Sequence, residues 1–234
     1  MSDIQPLSIL YEDSRLIAVH KPHGLLVHRS PMAPDATEFA LQIVRDMIDQ
    51  RVYLAHRLDR KTSGVLLFAK DKEANSYMHS LFHDRKVTKK YTAIVRGYTE
   101  DNGIIDYPLM NEKDKIQEAT THYTTIEKYE IDLPHGKHNT SRYSHVELQP
   151  QTGRFHQLRK HMAHIFHPII GDRPHGCNKQ NRLWKETYDM TTMMLHAAYL
   201  EFTDMDGQDI VIEGAHSTAF DKVLKLLRTN DIAS

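Results

Sequence analysis

Nine residues, all but Leu58 polar or turn-forming, His56-Arg57-Leu58-Asp59-Arg60-Lys61-Thr62-Ser63-Gly64, lie between two short apolar segments, Val52-Tyr53-Leu54-Ala55 and Val65-Leu66-Leu67-Phe68-Ala69. The flanks carry the β-branched, aromatic and aliphatic types that suit strands, so the stretch between them is predicted to be a loop held at both ends by sheet. Thr62, Ser63 and Gly64 can bond their own backbone and supply the dihedrals that re-aim the chain into a strand. Asp59 is the carboxylate of this loop, set among Arg57, Arg60 and Lys61. Taken locally it suits either a surface ion pair with a neighbouring arginine or a catalytic carboxylate, and both readings stay open at this level.

The rest of the chain alternates between the periods of strand and helix. Ser8 to Tyr11 and Leu16 to Lys21 read as two strands separated by Glu12-Asp13-Ser14, and Pro22-His23-Gly24 stops the second. Apolar residues at Phe39, Ala40, Ile43, Val44, Met47 and Ile48 predict a helix over Glu38 to Asp49, and Ala74, Tyr77, Met78, Leu81 and Phe82 predict another over Lys72 to Arg85. Lys89 to Arg96 alternates as a strand, with Tyr91, Ala93 and Val95 on one side and Lys90, Thr92 and Ile94 on the other. Further strands fit Gly103 to Tyr107, Thr120 to Tyr129 and Arg142 to Gln149, joined by short polar links that favour antiparallel pairing.

Phe155 to Phe166 reads as a helix ending before His167-Pro168, because the residue before proline avoids helical dihedrals. Gly171 to about Thr191 is predicted to be a long basic loop. A hairpin from Met194 to Phe202 and Asp209 to Ile212, then a helix from Thr218 to Arg228 capped by Ser217, complete the reading. With no linker or repeat in view, the expectation is one α+β domain over residues 1–234, with a mixed, mainly antiparallel sheet flanked by helices.

At 234 residues the chain is long enough to bury a real core. A single cysteine, Cys177, excludes an internal disulfide, the N-terminus lacks a signal-peptide pattern, and no segment has the apolar length of a membrane helix, so the expected location is the cytoplasm with no membrane contact. Thirty basic residues nearly cancel thirty-one acidic ones. Their distribution is uneven: Arg85, Lys86, Lys89, Lys90 and Arg96 stand against Asp84 alone, and Arg154, Arg159, Lys160, Arg173, Lys179 and Arg182 against Asp172 alone. Such segments suit either ordinary solvated faces or a basic surface that grips phosphates. Seventeen histidines, with His161, His164 and His167 at three-residue steps, raise a metal reading. Ligands at i, i+3 and i+6 drift around a helix, and no Cys or carboxylate accompanies them, so no metal is expected.

The nonapeptide resembles the His-Arg-Leu-Asp-x-x-Thr-Ser-Gly signature of the RluA-type pseudouridine synthases, with every fixed position present. Lys89-Lys90-Tyr91 is similar to that family's second motif, Gly153-Arg154-Phe155-His156-Gln157-Leu158-Arg159-Lys160-His161 to its third, and Leu195-His196-Ala197 to its last. His167-Pro168-Ile169-Ile170-Gly171-Asp172 follows the third as in the family. Together the motifs run from Lys21-Pro22 to Ala197 and cover most of the chain.

The resemblance implies a cofactor-free isomerase that breaks the bond between uracil N1 and ribose C1′, rotates the base, and joins C5 to C1′. Asp59 is then the catalytic carboxylate, paired with Arg159, while Tyr91 stacks on the uracil, Leu195 packs in the pocket, and Arg57 fills the gap left by the flipped nucleotide. Lys89, Lys90, Arg154 and Lys160 are expected to meet the RNA backbone. Leu26-Val27-His28-Arg29-Ser30, Asp106-Tyr107-Pro108-Leu109 and His175-Gly176 with Gln180-Asn181-Arg182 resemble a tRNA-acting branch without an S4 domain, which implies tRNA as partner and uridine 65 of the T stem as target. No obligate protein partner is expected. Ribosomal RNA is the alternative substrate within the family. An RNA-binding factor without turnover is the alternative outside it, disfavoured because pure binding has no use for a carboxylate amid phosphates. A glycoside hydrolase would need a second acid in a recognisable motif.

Overall fold

The apolar run after the polar loop forms a strand, Ser63–Ala69, in which all seven residues are buried. This is part of a computed structural model that describes residues 7–29 and 37–232; Ser30, quoted above, lies outside them. From the N-terminus run strands β1 (Ile9–Glu12) and β2 (Leu16–Lys21), helix α1 (Ala40–Met47), strands β3 (Tyr53–Leu54) and β4 (Ser63–Ala69), helix α2 (Lys72–His83) and strand β5 (Thr88–Arg96). There follow β6 (Asn102–Asp106), β7 (Leu109–Met110), β8 (Ile116–Gln117), β9 (Thr120–Ile131) and β10 (Ser141–Pro150). Helices α3 (Gln157–His164) and α4 (Asn178–Tyr188), strands β11 (Leu195–Thr203) and β12 (Asp209–Glu213), and helix α5 (Thr218–Thr229) complete the α+β fold. The chain forms two units, residues 1–89 with 197–215 and residues 90–196 with 216–234.

In the first unit β2 pairs antiparallel with β1 on one side and β4 on the other, with Ile17 opposite Phe68 and Val19 opposite Leu66. Alternation puts those four on one face, while Leu16, Ala18, Val65, Leu67 and Ala69 on the other join a core with Ala74, Met78 and Leu81 of α2 and with Leu200, Phe202, Ile210 and Ile212 of β11 and β12. Burial on both faces explains why β4 reads as a continuous apolar run rather than an alternating one. Asp71 caps α2 by accepting from the Ala74 N–H at 2.8 Å. Gly64, at the start of β4, has φ +111°, and a Cβ there would sit 2.1 Å from the Ala197 carbonyl oxygen. Only glycine fits that position.

In the second unit β10 pairs antiparallel with β5 and β9, and β6 closes onto β9. An isolated parallel bridge joins Leu26 to Phe39 in the first unit. Trp184, Tyr143, Met162 and the α5 residues Phe220, Val223, Leu224 and Leu227 share a core with Ala93, Ile94 and Val95 of β5. Four consecutive β5 residues, Thr92 to Val95, are buried, so the side predicted to carry Thr92 and Ile94 is covered as well. Ser217 caps α5 through the Phe220 N–H.

Two expectations need correction. The segment from Gly171 to Thr191 is not one loop, because α4 occupies Asn178–Tyr188. Its buried residues are Gln180 and Trp184, with Leu183 and Tyr188 packed against the same core, so a short apolar face anchors an otherwise polar helix. The third helix begins at Gln157 rather than Phe155, because His156 takes a left-handed conformation with φ 55° and ends the preceding turn.

His145 on β10 is 5% exposed, and neither ring nitrogen has a hydrogen-bond partner. Burial, then the nearby charges of His216 and Arg228, push its pKa down to about 4 against the pull of Glu127. Between pH 6.5 and 4 the unfolded chain therefore binds a proton here that the folded chain does not, and stability falls as pH falls through that window. His145→Phe is expected to reduce the loss of stability between pH 7 and 5 by about 1–2 kcal/mol, read from urea unfolding at the two pH values.

Candidate active site

Asp59 is half-buried in the loop between β3 and β4, and the loop is fastened by its backbone. Thr62 N–H donates to the Asp59 carbonyl at 3.1 Å, and Gly24 N–H to the Arg60 carbonyl at 2.8 Å. The Arg60 guanidinium returns the tie, its Nε donating to the Gly24 carbonyl at 2.9 Å. Beneath these lies Lys21, the last residue of β2 and 0% exposed, whose ammonium donates to the carbonyls of Pro22, Leu25 and Arg60 at 3.0, 2.8 and 3.1 Å. All three of its protons are used on the two segments that frame Asp59.

Burial pushes the Lys21 pKa down to about 7; the Asp59 carboxylate acts against that shift and Arg60 adds to it. The folded pKa lies below the unfolded one, so burying Lys21 opposes folding most at pH below 7, and the cost fades as pH rises toward 10.5. His23 reports the same positive surroundings. Burial and the charges of Lys21, Lys61 and Arg60 push it down to about 4. An anionic group beside Asp59 would meet cations from both sides of the loop.

His56 opens the loop from inside. Its Nε2 accepts the Leu67 N–H at 3.1 Å, and burial with the charge of Lys89 pushes its pKa down to about 4, so it is a neutral structural prop. Lys89 itself is pushed down to about 8 by burial and then by Arg85. Arg57 is exposed. Asp59, Arg57 and Lys89 all belong to the first unit.

The other candidates belong to the second. Tyr91 is half-buried on β5 opposite Leu148, its ring against the core that also holds Leu195, 3% exposed. Lys90 pairs with Glu147 at 3.5 Å. Arg154 Nε donates to the Glu118 carbonyl at 3.0 Å, and Lys160 donates to the Met110 carbonyl and lies over the Phe155 ring. Lys160 and Arg154 therefore have protein contacts in addition to any that RNA would offer.

Arg159 is buried on α3, and it pairs with a residue to which sequence reasoning gave no role. Its Nε meets Asp172 Oδ2 at 2.7 Å and its Nη2 meets Oδ1 at 2.8 Å, with side-chain exposures of 5% and 1%. This two-point contact fixes the plane of the guanidinium. The start of α3 is fastened by Gln157, whose Oε1 accepts from Thr152 and the Arg154 N–H and whose Nε2 donates to the Thr120 carbonyl and Thr121. Sequence reasoning missed Lys21, Gln157 and Asp172. The signal for Asp172 was there, as the sole acid in a run of cations and histidines.

The three evenly spaced histidines are each engaged in contacts with the protein. His161 bonds Thr121 and the Tyr107 carbonyl, His164 stacks on the Tyr107 ring at 3.6 Å, and His167 Nδ1 bonds the Arg96 carbonyl at 2.8 Å.

A family model described as RNA pseudouridylate synthase matches residues 15–164, a span that holds Asp59, Tyr91 and Arg159. The chain is 46% identical over 207 residues to tRNA pseudouridine synthase C of Vibrio parahaemolyticus, with 84% of each chain covered. It is 50% identical over 207 residues to tRNA pseudouridine synthase C of Haemophilus ducreyi, covering 84% of this chain and 85% of that one. Among solved structures, Human RNA Pseudouridylate Synthase Domain Containing 4 is similar with a TM-score of 0.73 at 26% identity, over 94% of this chain and 93% of that one. Human RNA Pseudouridylate Synthase Domain Containing 1 shares the fold with a TM-score of 0.71 at 22% identity, over 99% of both chains. A family match that spans the fastened aspartate loop, joined to relatives at close to half identity over most of both sequences, establishes that this chain belongs to the RNA pseudouridylate synthase family.

Proposed function

We propose that the protein isomerises a uridine of tRNA to pseudouridine, at position 65 of the T stem, with Asp59 as the catalytic carboxylate. The observation that carries the substrate is the identity of 46–50% over 84% of the chain to proteins named tRNA pseudouridine synthase C. The proposed site of action is the cytoplasm, where such RNA is found. Among the described residues no helix is long and apolar enough to cross a membrane.

In this reading the Asp59 carboxylate acts at the ribose, either by attacking C1′ or by removing a sugar proton as the glycosidic bond breaks. Both routes need it ionised and held still. Lys21 supports the second requirement by its three carbonyl ties. Arg159 is assigned as the counter-charge of Asp59. Tyr91 offers its ring to the uracil and its hydroxyl as acceptor of the C5 proton, and Leu195 closes the apolar side of the pocket. Arg57, exposed on the loop, takes the place of the uridine flipped out of the stem. Lys89, Lys90, Arg154 and Lys160 contribute to holding the phosphates.

Protein incubated with tRNA tritiated at uridine C5 is expected to release label, and Asp59→Ala to stop release while RNA still binds; release retained in that variant would sink the assignment. Pseudouridine maps of total RNA with and without the gene are expected to differ at uridine 65 of certain tRNAs. An unchanged T stem beside a lost ribosomal site would move the substrate to ribosomal RNA. Lys21→Met, which leaves three carbonyls without their donor, is expected to lower the unfolding free energy by about 2–4 kcal/mol in urea titrations and to slow turnover at saturating tRNA.

A further inference from the structure

Burying an ion pair is costly, and two apolar side chains in the place of Arg159 and Asp172 would hold the fold at least as well. Yet the surroundings of Asp172 are built to keep it in one position. Its Oδ1 accepts the His175 N–H at 3.5 Å in addition to Arg159, and its carbonyl accepts Asn181 Nδ2 at 2.7 Å. Asn181 Oδ1 in turn takes the N–H of Gly171 at 2.9 Å, so one amide clamps both sides of the residue. Gly171 has φ +81°, and a Cβ there would lie 2.2 Å from the Thr192 carbonyl oxygen; a Cβ on Gly176 would lie 1.8 Å from the Asp172 carbonyl oxygen. The backbone on either side of Asp172 is packed too closely for any side chain.

We propose that Asp172 is a positioning residue for the pseudouridine reaction, setting the plane and edge with which the Arg159 guanidinium meets the catalytic carboxylate. The inference rests on the reading of Arg159 as the counter-charge of Asp59. Asp172 takes the edge formed by Nε and Nη2. A second carboxylate must therefore be met through the three remaining N–H groups, two on Nη1 and one on Nη2, in a plane that Asp172 dictates. A small displacement of a group that orients a reacting carboxylate costs rate without weakening the grip on the rest of the substrate, whose binding is spread over many phosphates.

The test is C5-tritium release from tRNA, with kcat and KM measured separately and thermal melting recorded for each variant. Asp172→Asn is expected to lower kcat by about 100-fold with KM within about threefold of the parent. Asp172→Glu, which restores the charge but sits one methylene too long for the clamp, is expected to recover the melting temperature and leave kcat at least about tenfold down. If Asp172→Asn does not fold, Asn181→Ala, which loosens the clamp and keeps the carboxylate, is expected to lower kcat several-fold at unchanged KM; unchanged kcat there overturns the proposal. A folded Asp172→Asn with parental kcat overturns it too, as does Asp172→Glu recovering stability and kcat together, which marks a purely structural pair. No release by the parent protein from either tRNA or ribosomal RNA removes the underlying reading, and this inference with it.

Discussion

The ammonium of Lys21 is the interaction on which the loop of Asp59 depends. It is fully buried, and its three donors are spent on carbonyls of the turn that ends β2 and of the loop that carries Asp59. A carbonyl left without its donor in such a place costs about 1–3 kcal/mol, so the cage has a strong preference for this side chain despite the penalty for burying a cation. The strand pairing of β2 and β4 places the lysine there, with Lys21 opposite Gly64 at the end of the ladder. Sheet register, loop anchorage and local charge thus meet at one residue.

Two buried cations, Lys21 in the first unit and Arg159 in the second, are held by different means. Lys21 is caged mainly by carbonyl dipoles, which do not cancel its charge, and its pKa drops to about 7. Arg159 has a full carboxylate on two of its nitrogens. A guanidinium is charged at any pH a cell meets, whereas an ammonium so depressed exchanges its proton near neutrality. In the proposed reaction the arginine is the permanent counter-charge, and the lysine is an anchor whose charge depends on pH.

Much of this was legible in the sequence, and the parts that were not have physical reasons. Strands β2 and β4 are dense in β-branched and aliphatic residues and read as apolar runs, and helices α2 and α5 show a clear apolar face, so these elements are plain in the sequence. Helix α4 escapes a reading by period because Trp184 and Gln180 alone are buried along it. The β7 and β8 pair is two residues a side, too short to leave an alternation. His156 looks helical by neighbourhood, but its left-handed backbone comes from its surroundings, including the His175 ring at 2.9 Å from its Nδ1. Asp59 and Tyr91 stand out because they fall in motifs. Lys21 and Asp172 lie in quoted stretches but received no role, since a lysine or aspartate is exposed in most proteins, and only the fold reveals that these are enclosed.

Gly64 carries one more consequence. Its hydrogen atom occupies the space against the Ala197 carbonyl that any Cβ would fill, so the loop of Asp59 is braced by a strand from late in the chain. Contacts of such long sequence separation form slowly, because a large loop must close first. A ribosome still translating the segment before Leu195 therefore presents a chain in which the aspartate loop has one wall missing. The loop of Asp59 takes its final form only after β11 has emerged and docked.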